Sequence, residues 1–189
     1  MEKKIIRILD ITISTLFLII IFPLILLICF LIFFIDGRPI IYKQERIGIY
    51  GKKFQIFKFR TMSDDISIKN KLRLTNLGKI LRRLSLDEIP QFLNVLKADM
   101  SIVGPRPLPE LYEKKINSRL KILRRKILPG ITGMSQIRYT GRYRKLEEKV
   151  RLDIDYVKNY SLYNYTKVLF YTPYVLMIRL LKNKSSIIN

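Results

Sequence analysis

The amino-acid sequence predicts a mainly helical α+β protein that has an N-terminal re-entrant membrane helix, a small β-hairpin and amphipathic helices at the membrane interface. Three observations predict this class. An uncharged apolar stretch of about 25 residues lies between Asp10 and Asp36, long enough to cover the hydrocarbon core of a bilayer. Two short β-type runs at 39–42 and 54–59 are separated by glycines. Beyond them, apolar residues recur at helical spacing between Pro and Gly breaks.

The chain is both basic and apolar. Its 189 residues include 36 Lys and Arg against 15 Asp and Glu, a formal charge of +21, and the mean hydropathy is +0.11. A soluble nucleic-acid-binding protein usually has the charge without the apolar character, whereas a protein on an anionic bilayer needs both. We therefore expect anionic membrane lipid as a partner and no nucleic acid. The length suits a single catalytic unit.

The absence of histidine restricts the chemistry. Without His, the sequence excludes Ser-His-Asp and Cys-His arrangements and the usual zinc sites. Cys29, in the apolar stretch, is the single cysteine of the sequence. Because a disulfide needs two cysteines, none forms within one chain. Carboxylates, cations, hydroxyls and a hard metal with oxygen ligands, such as magnesium, remain for catalysis.

The apolar stretch forms the predicted first unit, residues 1–37. Pro23, near its middle, removes a backbone donor and predicts a break or kink. Positive residues flank both ends, which favours both ends on the cytoplasmic side. They are Lys3, Lys4, Arg7, Arg38, Lys43, Arg46, Lys52 and Lys53. A re-entrant helix broken at Pro23 satisfies both observations, and a single crossing with a proline kink remains the alternative. The long apolar part lacks a cleavage site, so we expect it to stay in the mature protein.

Residues 38–189 form the predicted second unit, which is cytoplasmic and membrane-associated. After the hairpin at 39–62 we expect a polar loop, two helices, an extended segment with two prolines, and three further helices. These elements are the loop at 63–71, helices at 77–84 and 88–97, the extended segment at 103–107, and helices at 110–126, 146–159 and 168–181. The last helix suits either the membrane interface or a buried core.

The adjacent carboxylates Asp87 and Glu88 are the candidate reactive groups. Pro90 is best tolerated in a first helical turn, so the pair is expected at a helix start, where free amides favour negative charge and phosphates. The alternative is a capping box between Ser85 and Glu88, with Asp87 merely in the first turn.

Cations around this pair suggest an anionic substrate. Arginine's planar guanidinium suits phosphate. The candidates for phosphate contacts are Lys58, Arg60, Arg82, Arg106 and Arg142, with Arg138 beside them. The glycine-bearing turn at 129–133 offers amides that a phosphate can approach closely.

Several ordered motifs resemble the bacterial sugar transferase family, the monotopic phosphoglycosyl transferases that start glycan assembly on polyprenyl phosphate. They occur at 44–48 (QERIG), 58–62 (KFRTM), 85–91 (SLDEIPQ), 94–101 (NVLKADMS), 103–107 (VGPRP) and 129–133 (PGITG). The resemblance covers nearly the whole chain.

This resemblance implies an undecaprenyl-phosphate sugar phosphotransferase with a covalent intermediate. Asp87 attacks the β-phosphate of a UDP-sugar, expels UMP and holds the phosphosugar until polyprenyl phosphate accepts it. Glu88 assists as a base or helps to place a magnesium ion, so both carboxylates are candidate metal ligands. The basic motif residues Lys58, Arg60, Arg82, Arg106 and Arg142 contact phosphates.

The resemblance also implies a location and a pathway. The chain is expected at the bacterial inner membrane with its catalytic domain on the cytoplasmic face. It performs the first membrane step of capsule, lipopolysaccharide or glycoprotein assembly, alongside glycosyltransferases of the same pathway. The sugar itself is not readable from these residues.

Some positions depart from the family pattern. Phe22 stands where Ser often precedes the helix-breaking proline, and Met134 replaces an aromatic residue. An acidic residue often found near Ser161 is missing, and Asn164 and Tyr165 stand there instead. Either Asp153 or Asp155 takes over its role, or that carboxylate is dispensable.

Two other functions remain open from sequence. One is a membrane-anchored basic module that binds anionic lipid or nucleic acid without catalysis, and it leaves the acidic pair and the VGPRP motif unexplained. The other is a lipid-linked glycosyltransferase that releases UDP, which the identity of the product separates from the first.

Overall fold

The computed structural model describes residues 1–63, 73–138 and 145–185, with side chains up to residue 181. It confirms a mainly helical protein with a small antiparallel hairpin. The helices are α1 (Glu2–Ile20), α2 (Phe22–Leu31), α3 (Asn76–Arg83), α4 (Gln91–Leu96), α5 (Glu110–Glu113), α6 (Ser118–Arg124), α7 (Met134–Ile137), α8 (Leu146–Lys158) and α9 (Leu162–Ser185). The strands are β1 (Ile41–Ile47), β2 (Lys53–Phe59), β3 (Ser101–Val103) and β4 (Gly130–Thr132).

The N-terminal apolar stretch forms a bent pair of helices. α1 and α2 meet at Ile21, and α2 continues as a π-helical turn over Ile32–Asp36, at an angle of 61° between the two arms. Pro23 lies in the first turn of α2, where its missing N–H is tolerated. Within the described residues, none of the helices is by itself long and apolar enough to cross a membrane, although the bent pair taken together is.

Local sequence patterns correctly predicted several elements. The predicted hairpin is confirmed, with Gln44 paired with Ile56 and Arg46 with Phe54. Helices α3 and α8 lie within one residue of the predicted bounds. The last helix begins at Leu162, earlier than predicted, and the polar loop at 63–71 lies almost entirely outside the described residues.

Two helix predictions were wrong. The helix predicted at 110–126 is divided into α5 and α6, because Asn117 caps α6 by accepting a hydrogen bond from the Arg119 N–H at 2.9 Å. The helix predicted at 88–97 begins at Gln91 as α4, after a separate 3₁₀ turn over Leu86–Glu88. The acidic pair therefore precedes the helix.

The main hydrophobic core joins α1, the hairpin, α4, β3, α8 and α9, with Val95, Met100 and Val168 fully buried. Asp10 of α1 is buried inside this core, where its Oδ1 accepts from the Ile102 N–H at 2.8 Å and from the Tyr165 hydroxyl at 2.8 Å. These bonds connect α1 to β3 and α9. The N-terminal helix is thus fixed to the rest of the protein by a satisfied buried carboxylate as well as by apolar packing.

A parallel pair of short strands connects the VGPRP and PGITG motifs. β3 pairs with β4 through Ser101 with Gly130 and Val103 with Thr132. A Cβ atom on Gly104 or Gly130 would overlap the backbone of the other segment, so only glycine permits this approach. The glycines of the PGITG turn are therefore occupied by protein backbone.

Candidate active site

The acidic pair lies on the 3₁₀ turn Leu86–Glu88 between α3 and α4. Ser85, directly before it, adopts the left-handed conformation with φ of 57° and makes no side-chain cap. The predicted alternative of a Ser85–Glu88 capping box is therefore wrong. A non-glycine residue in this conformation is strained, and such strain tends to occur at functional sites.

Glu88 is tied to two cations. Its Oε1 accepts a hydrogen bond from Lys58 Nζ at 2.6 Å and from Arg106 Nη2 at 2.7 Å. Burial alone would raise the pKa of Glu88, but Arg106 and Lys58 outweigh burial and lower its pKa to about 2. Glu88 is thus ionised at neutral pH and holds Lys58 and Arg106 in position.

Asp87 has the opposite environment. It is 8% exposed, and its nearest ion-pair partner among the described residues is Lys58, with Nζ 3.9 Å from Oδ2. Within the described part of the chain its carboxylate makes no hydrogen bond. Burial raises the pKa of Asp87, and Lys58 partly counteracts this. The result is a buried carboxylate beside cations whose oxygens remain available.

The structure brings Lys58 and Arg106 to the pair from two different elements. Lys58 projects from β2, and Arg106 lies in the irregular segment after β3. The backbone of this segment is held in place because Arg124 donates a hydrogen bond to the Arg106 carbonyl. Arg124 also binds Glu113 and Asp153, each at 2.9 Å, in a cluster that is almost fully buried.

Arg82 approaches the pair from α3. Its Nε donates to Thr61 Oγ1 at 2.9 Å, and its charge lowers the pKa of Asp87 after the larger effects of burial, Lys58 and Glu88. Gly78, one turn earlier on α3, lies against the Thr61 backbone, where a Cβ atom would overlap the carbonyl. Thr61 and Gly78 thus set the position from which the exposed Arg82 side chain extends.

The two other predicted phosphate contacts have different outcomes. Arg60 is 6% exposed, and its guanidinium donates to the carbonyls of Asp36 and Arg38, which fixes the end of the N-terminal unit on the hairpin. Arg142 lies outside the described residues. The structure therefore groups Lys58, Arg82 and Arg106 around Asp87 and Glu88, the acidic dyad, and places Arg60 elsewhere.

Neither candidate for the missing family carboxylate lies at the dyad. Asp153 is buried in the ion pair with Arg124, and Asp155 is exposed on α8. Asn164 donates to the Asn159 carbonyl, and Tyr165 donates to Asp10. All four side chains are thus directed to structural contacts or to solvent.

The residues around the pair fit a magnesium ion in number and type. No cluster of three or more His, Cys, Asp or Glu occurs among the described residues. Magnesium, however, commonly takes one or two carboxylates and completes its shell with water and substrate phosphates. Both cations bind Glu88 through Oε1, which leaves Oε2, together with the Asp87 oxygens, free of hydrogen bonds within the described residues.

Two further residues of this region were missed by sequence reasoning. Arg46 and Gln91 line a small cavity together with Lys58 and Arg106. Both residues belong to motifs that carried the family resemblance, QERIG and SLDEIPQ. Their place in those motifs was the available signal, but nothing in the local pattern indicated that they lie together.

Comparison with known proteins identifies the family. The bacterial sugar transferase family profile matches residues 1–179. A UDP-glucose:undecaprenyl-phosphate glucose-1-phosphate transferase of Klebsiella pneumoniae is 39% identical over 181 residues, covering 89% of this chain and 39% of that protein. The uncharacterized sugar transferase EpsL of Bacillus subtilis is 44% identical over 142 residues, covering 72% of this chain and 69% of EpsL.

A third relative has a different sugar in its name. The undecaprenyl-phosphate galactose phosphotransferase of Salmonella typhimurium is 37% identical over 168 residues, covering 76% of this chain and 34% of that protein. The chain thus spans well under half the length of two of these three relatives. Since the profile covers nearly all of the chain, as the motifs predicted, the protein belongs to the bacterial sugar transferase family.

Proposed function

We propose that this chain transfers a sugar 1-phosphate from a UDP-sugar to undecaprenyl phosphate, releasing UMP, with Asp87 as the covalent nucleophile. The observation that carries the proposal is the difference between the two carboxylates. Glu88 is held by Lys58 and Arg106, whereas Asp87 is buried next to the same cations with its oxygens unbonded among the described residues. A desolvated carboxylate flanked by cations suits attack on the phosphorus atom of an anionic diphosphate.

The reaction proceeds by two displacements. An oxygen of Asp87 bonds to the β-phosphorus of the UDP-sugar, and the bond from that phosphorus to the bridging oxygen breaks, so UMP leaves. A phosphate oxygen of undecaprenyl phosphate then attacks the same phosphorus. The bond to Asp87 breaks, the carboxylate is restored, and the lipid diphosphate sugar is the product.

Cations near the dyad stabilise the charge that develops on phosphorus. Lys58 and Arg106 have fixed positions because both bind Glu88, and Arg82 is oriented by Thr61. Such preorganised donors cost little reorganisation during the reaction. Glu88, with a pKa of about 2, is a weak base, so we assign it to positioning these cations. The attacking phosphate is already an anion and needs no strong base.

Magnesium is the cofactor that we propose for this site. Asp87 and Glu88 would hold it together with substrate phosphates, and it would offset the charge of the diphosphate. The two carboxylates supply too few protein ligands for a closed site, which agrees with an ion that arrives with its substrate.

The N-terminal unit, residues 1–37, is proposed to be a re-entrant membrane anchor that seats residues 38–189 on the cytoplasmic face of the inner membrane. The 61° bend, the cations at both ends and the exposed apolar side chains support this. Leu26, Leu27, Phe30 and Phe34 are each more than half exposed. Anionic lipid is the proposed partner of this face.

Cysteine labelling tests the proposed topology. Lys3→Cys and Lys43→Cys, each in a Cys29→Ser background, are treated in intact spheroplasts with a membrane-impermeant maleimide. A re-entrant helix protects both sites until the cells are opened. Labelling of one site in intact spheroplasts would instead establish a single crossing.

Nucleotide release tests the reaction. Detergent-solubilised protein is assayed with magnesium, undecaprenyl phosphate and a panel of UDP-sugars, and UMP and UDP are measured separately. We expect UMP from one donor and a decrease of roughly 10³-fold or more in Asp87→Asn, as for other covalent nucleophiles. Release of UDP would instead indicate glycosyl transfer. Full activity in Asp87→Asn would overturn the assignment of the nucleophile.

The product of this reaction is proposed to enter capsule, lipopolysaccharide or glycoprotein assembly. A lipid diphosphate sugar is the substrate of glycosyltransferases that extend the glycan, so such enzymes are the expected partners in the same pathway. The names of the relatives mention both glucose and galactose, and the donor panel identifies the sugar for this chain.

A further inference from the structure

A small cavity lies beside the dyad, between the hairpin and the segment that follows β3. It is lined by Arg46, Ile56, Lys58, Gln91, Arg106 and Pro107. Its volume of about 10 Å³ is enough for one water-sized group. Lys58 and Arg106 are the two residues that bind Glu88, so the cavity adjoins the reactive pair.

Two buried nitrogen atoms of cavity residues have no hydrogen-bond acceptor within the described part of the chain. Gln91 is 2% exposed, and its Nε2 is buried without a hydrogen-bond partner among the described residues. Arg46 Nε is likewise buried without a hydrogen-bond partner among the described residues. Buried donors are nearly always satisfied, and two unsatisfied donors on one cavity indicate a missing acceptor.

Each of the two terminal nitrogens of the Arg46 guanidinium already donates one hydrogen bond. Its Nη1 donates to the Pro107 carbonyl at 3.2 Å, and its Nη2 donates to Gln44 Oε1 at 2.5 Å. These bonds fix the guanidinium between the hairpin and the VGPRP segment. Nε is therefore the one guanidinium nitrogen of Arg46 that makes no hydrogen bond within the described residues.

The charge of the cavity favours an anionic acceptor. Arg46, Lys58 and Arg106 contribute three positive charges, which exceed the two negative charges of the adjoining Glu88 and Asp87. Burial lowers the pKa of Arg46, and the charge of Arg106 lowers it further, so an anion entering this cavity would be stabilised. The size admits a single oxygen, with the remainder of the group outside the cavity.

We infer that this cavity binds one oxygen of a substrate phosphate, which accepts hydrogen bonds from Gln91 Nε2 and Arg46 Nε. The inference rests on the proposed function, because that function brings phosphates to the dyad. Both the nucleotide phosphate and the lipid phosphate have the required chemistry. Gln91 and Arg46 would then bind substrate, a role separate from those already assigned to Asp87, Glu88 and the other cations of the site.

Binding to Gln91 variants tests this inference without requiring turnover. Gln91→Met keeps the length of the side chain and removes its donors, and Gln91→Glu replaces the donor with a negative charge. Gln55→Met is the matched control, since Gln55 is exposed on β2 of the hairpin that borders the cavity and does not itself line the cavity. Affinities for UMP and for a short-chain polyprenyl phosphate are measured by titration calorimetry in detergent.

We expect Gln91→Met to weaken binding of one phosphate ligand by about tenfold, the loss of one charge-assisted hydrogen bond, and Gln91→Glu to weaken it more. A loss for UMP assigns the cavity to the nucleotide phosphate, and a loss for the polyprenyl phosphate assigns it to the lipid. Thermal unfolding should be unchanged or slightly higher in Gln91→Met, because an unsatisfied buried donor is removed.

Wild-type affinity of Gln91→Met for both ligands would overturn the inference and leave the cavity to an ordered water. Arg46→Lys, which keeps the charge and removes Nε, provides an independent second test with the same expected direction. Failure of the proposed function has a different signature. UDP release, or activity without Asp87, would overturn the reaction while leaving the binding result unchanged.

Discussion

Two clusters of arginine and carboxylate lie close together in this protein and have opposite characters. In the buried cluster, each guanidinium nitrogen of Arg124 donates to an acceptor on Glu113, Asp153 or Arg106, and the ion-paired side chains are 3–4% exposed. In the cluster around Asp87 and Glu88, the side chain of Arg106 is 43% exposed, and Asp87 has no hydrogen bond within the described residues. The same residue types build a structural support in one place and a reactive site in the other.

The difference is one of unused bonding capacity. In the buried cluster each guanidinium nitrogen of Arg124 already donates, and Asp153 Oδ1, which has no hydrogen-bond partner among the described residues, is buried where a substrate does not reach it. A cluster with unbonded carboxylate oxygens and a partly exposed arginine side chain can still bind a substrate. Because Arg124 bonds to the Arg106 carbonyl, the first cluster supports the second.

The largest expected effect on stability comes from removing the centre of the buried cluster. Arg124→Met leaves Asp153 buried without its ion-pair partner and leaves Glu113 paired with Arg125 alone, so we expect a loss of about 3–5 kcal/mol in the free energy of unfolding. Denaturant titration in detergent measures it. Lys114→Met, which removes an exposed pair with Glu110, is the control and should leave the midpoint nearly unchanged. Equal midpoints for both variants would contradict the comparison.

The two neighbouring carboxylates should differ in the sign of their effect. Glu88→Gln removes the charge that Lys58 and Arg106 share, and we expect a loss of about 1–3 kcal/mol in the free energy of unfolding. Asp87→Asn removes a charge that burial disfavours, so its stability should be equal to or above that of the wild type. Thermal unfolding of the two variants side by side checks this. A destabilised Asp87→Asn would show that Asp87 is held as firmly as Glu88.

The stability of the protein at acidic pH should depend on the ionisation of Glu88. Glu88 has its pKa lowered from 4.5 to about 2, so its stabilising contribution is complete above about pH 4.5 and is lost as the pH falls toward 2. The free energy of unfolding in metal-free buffer should therefore fall more steeply over this interval in the wild type than in Glu88→Gln. Parallel curves for the two proteins would contradict the assigned role of Glu88.

The dependence of activity on pH is expected to follow the ionisation of Asp87 rather than that of Glu88. Burial raises its pKa above the ordinary value of 3.8, and attack requires the ionised form, so activity should fall as the pH drops through this raised pKa. Arg82→Gln removes a charge that lowers this pKa, and should move the inflection to higher pH. Single-turnover rates across the acid range measure both, and an inflection that does not move would remove Arg82 from the site.

The smallest expected effect concerns the orientation of Arg82. Thr61→Val removes the acceptor of Arg82 Nε, and we expect KM for the UDP-sugar to rise by roughly threefold to tenfold with little change in kcat. Thr61→Ser keeps the hydroxyl and should retain wild-type KM. Thermal midpoints should be similar, since the Thr61 backbone still accepts from Thr75. An equal KM in both variants would show that Arg82 needs no such orientation.

Local patterns predicted the elements that local forces determine. Alternating apolar residues and glycines specified the hairpin, and helical periodicity specified α3 and α8 within one residue. The segment at 110–126 is equally basic and periodic, but Glu113 is drawn into the buried cluster with Arg124, and Asn117 starts a new helix there. A contact between distant side chains outweighed helix propensity.

The sequence by itself determined the chemistry available to this protein. The absence of His, the excess of cations, the adjacency of Asp87 and Glu88 and the ordered motifs are all properties of the chain read in one dimension. Tertiary structure decided how that chemistry is distributed. Lys58 and Arg106 stand 30 and 18 residues from Glu88 and meet at one of its oxygens. Two adjacent carboxylates thereby acquire opposite environments, because burial and the geometry of charges depend on which elements pack together.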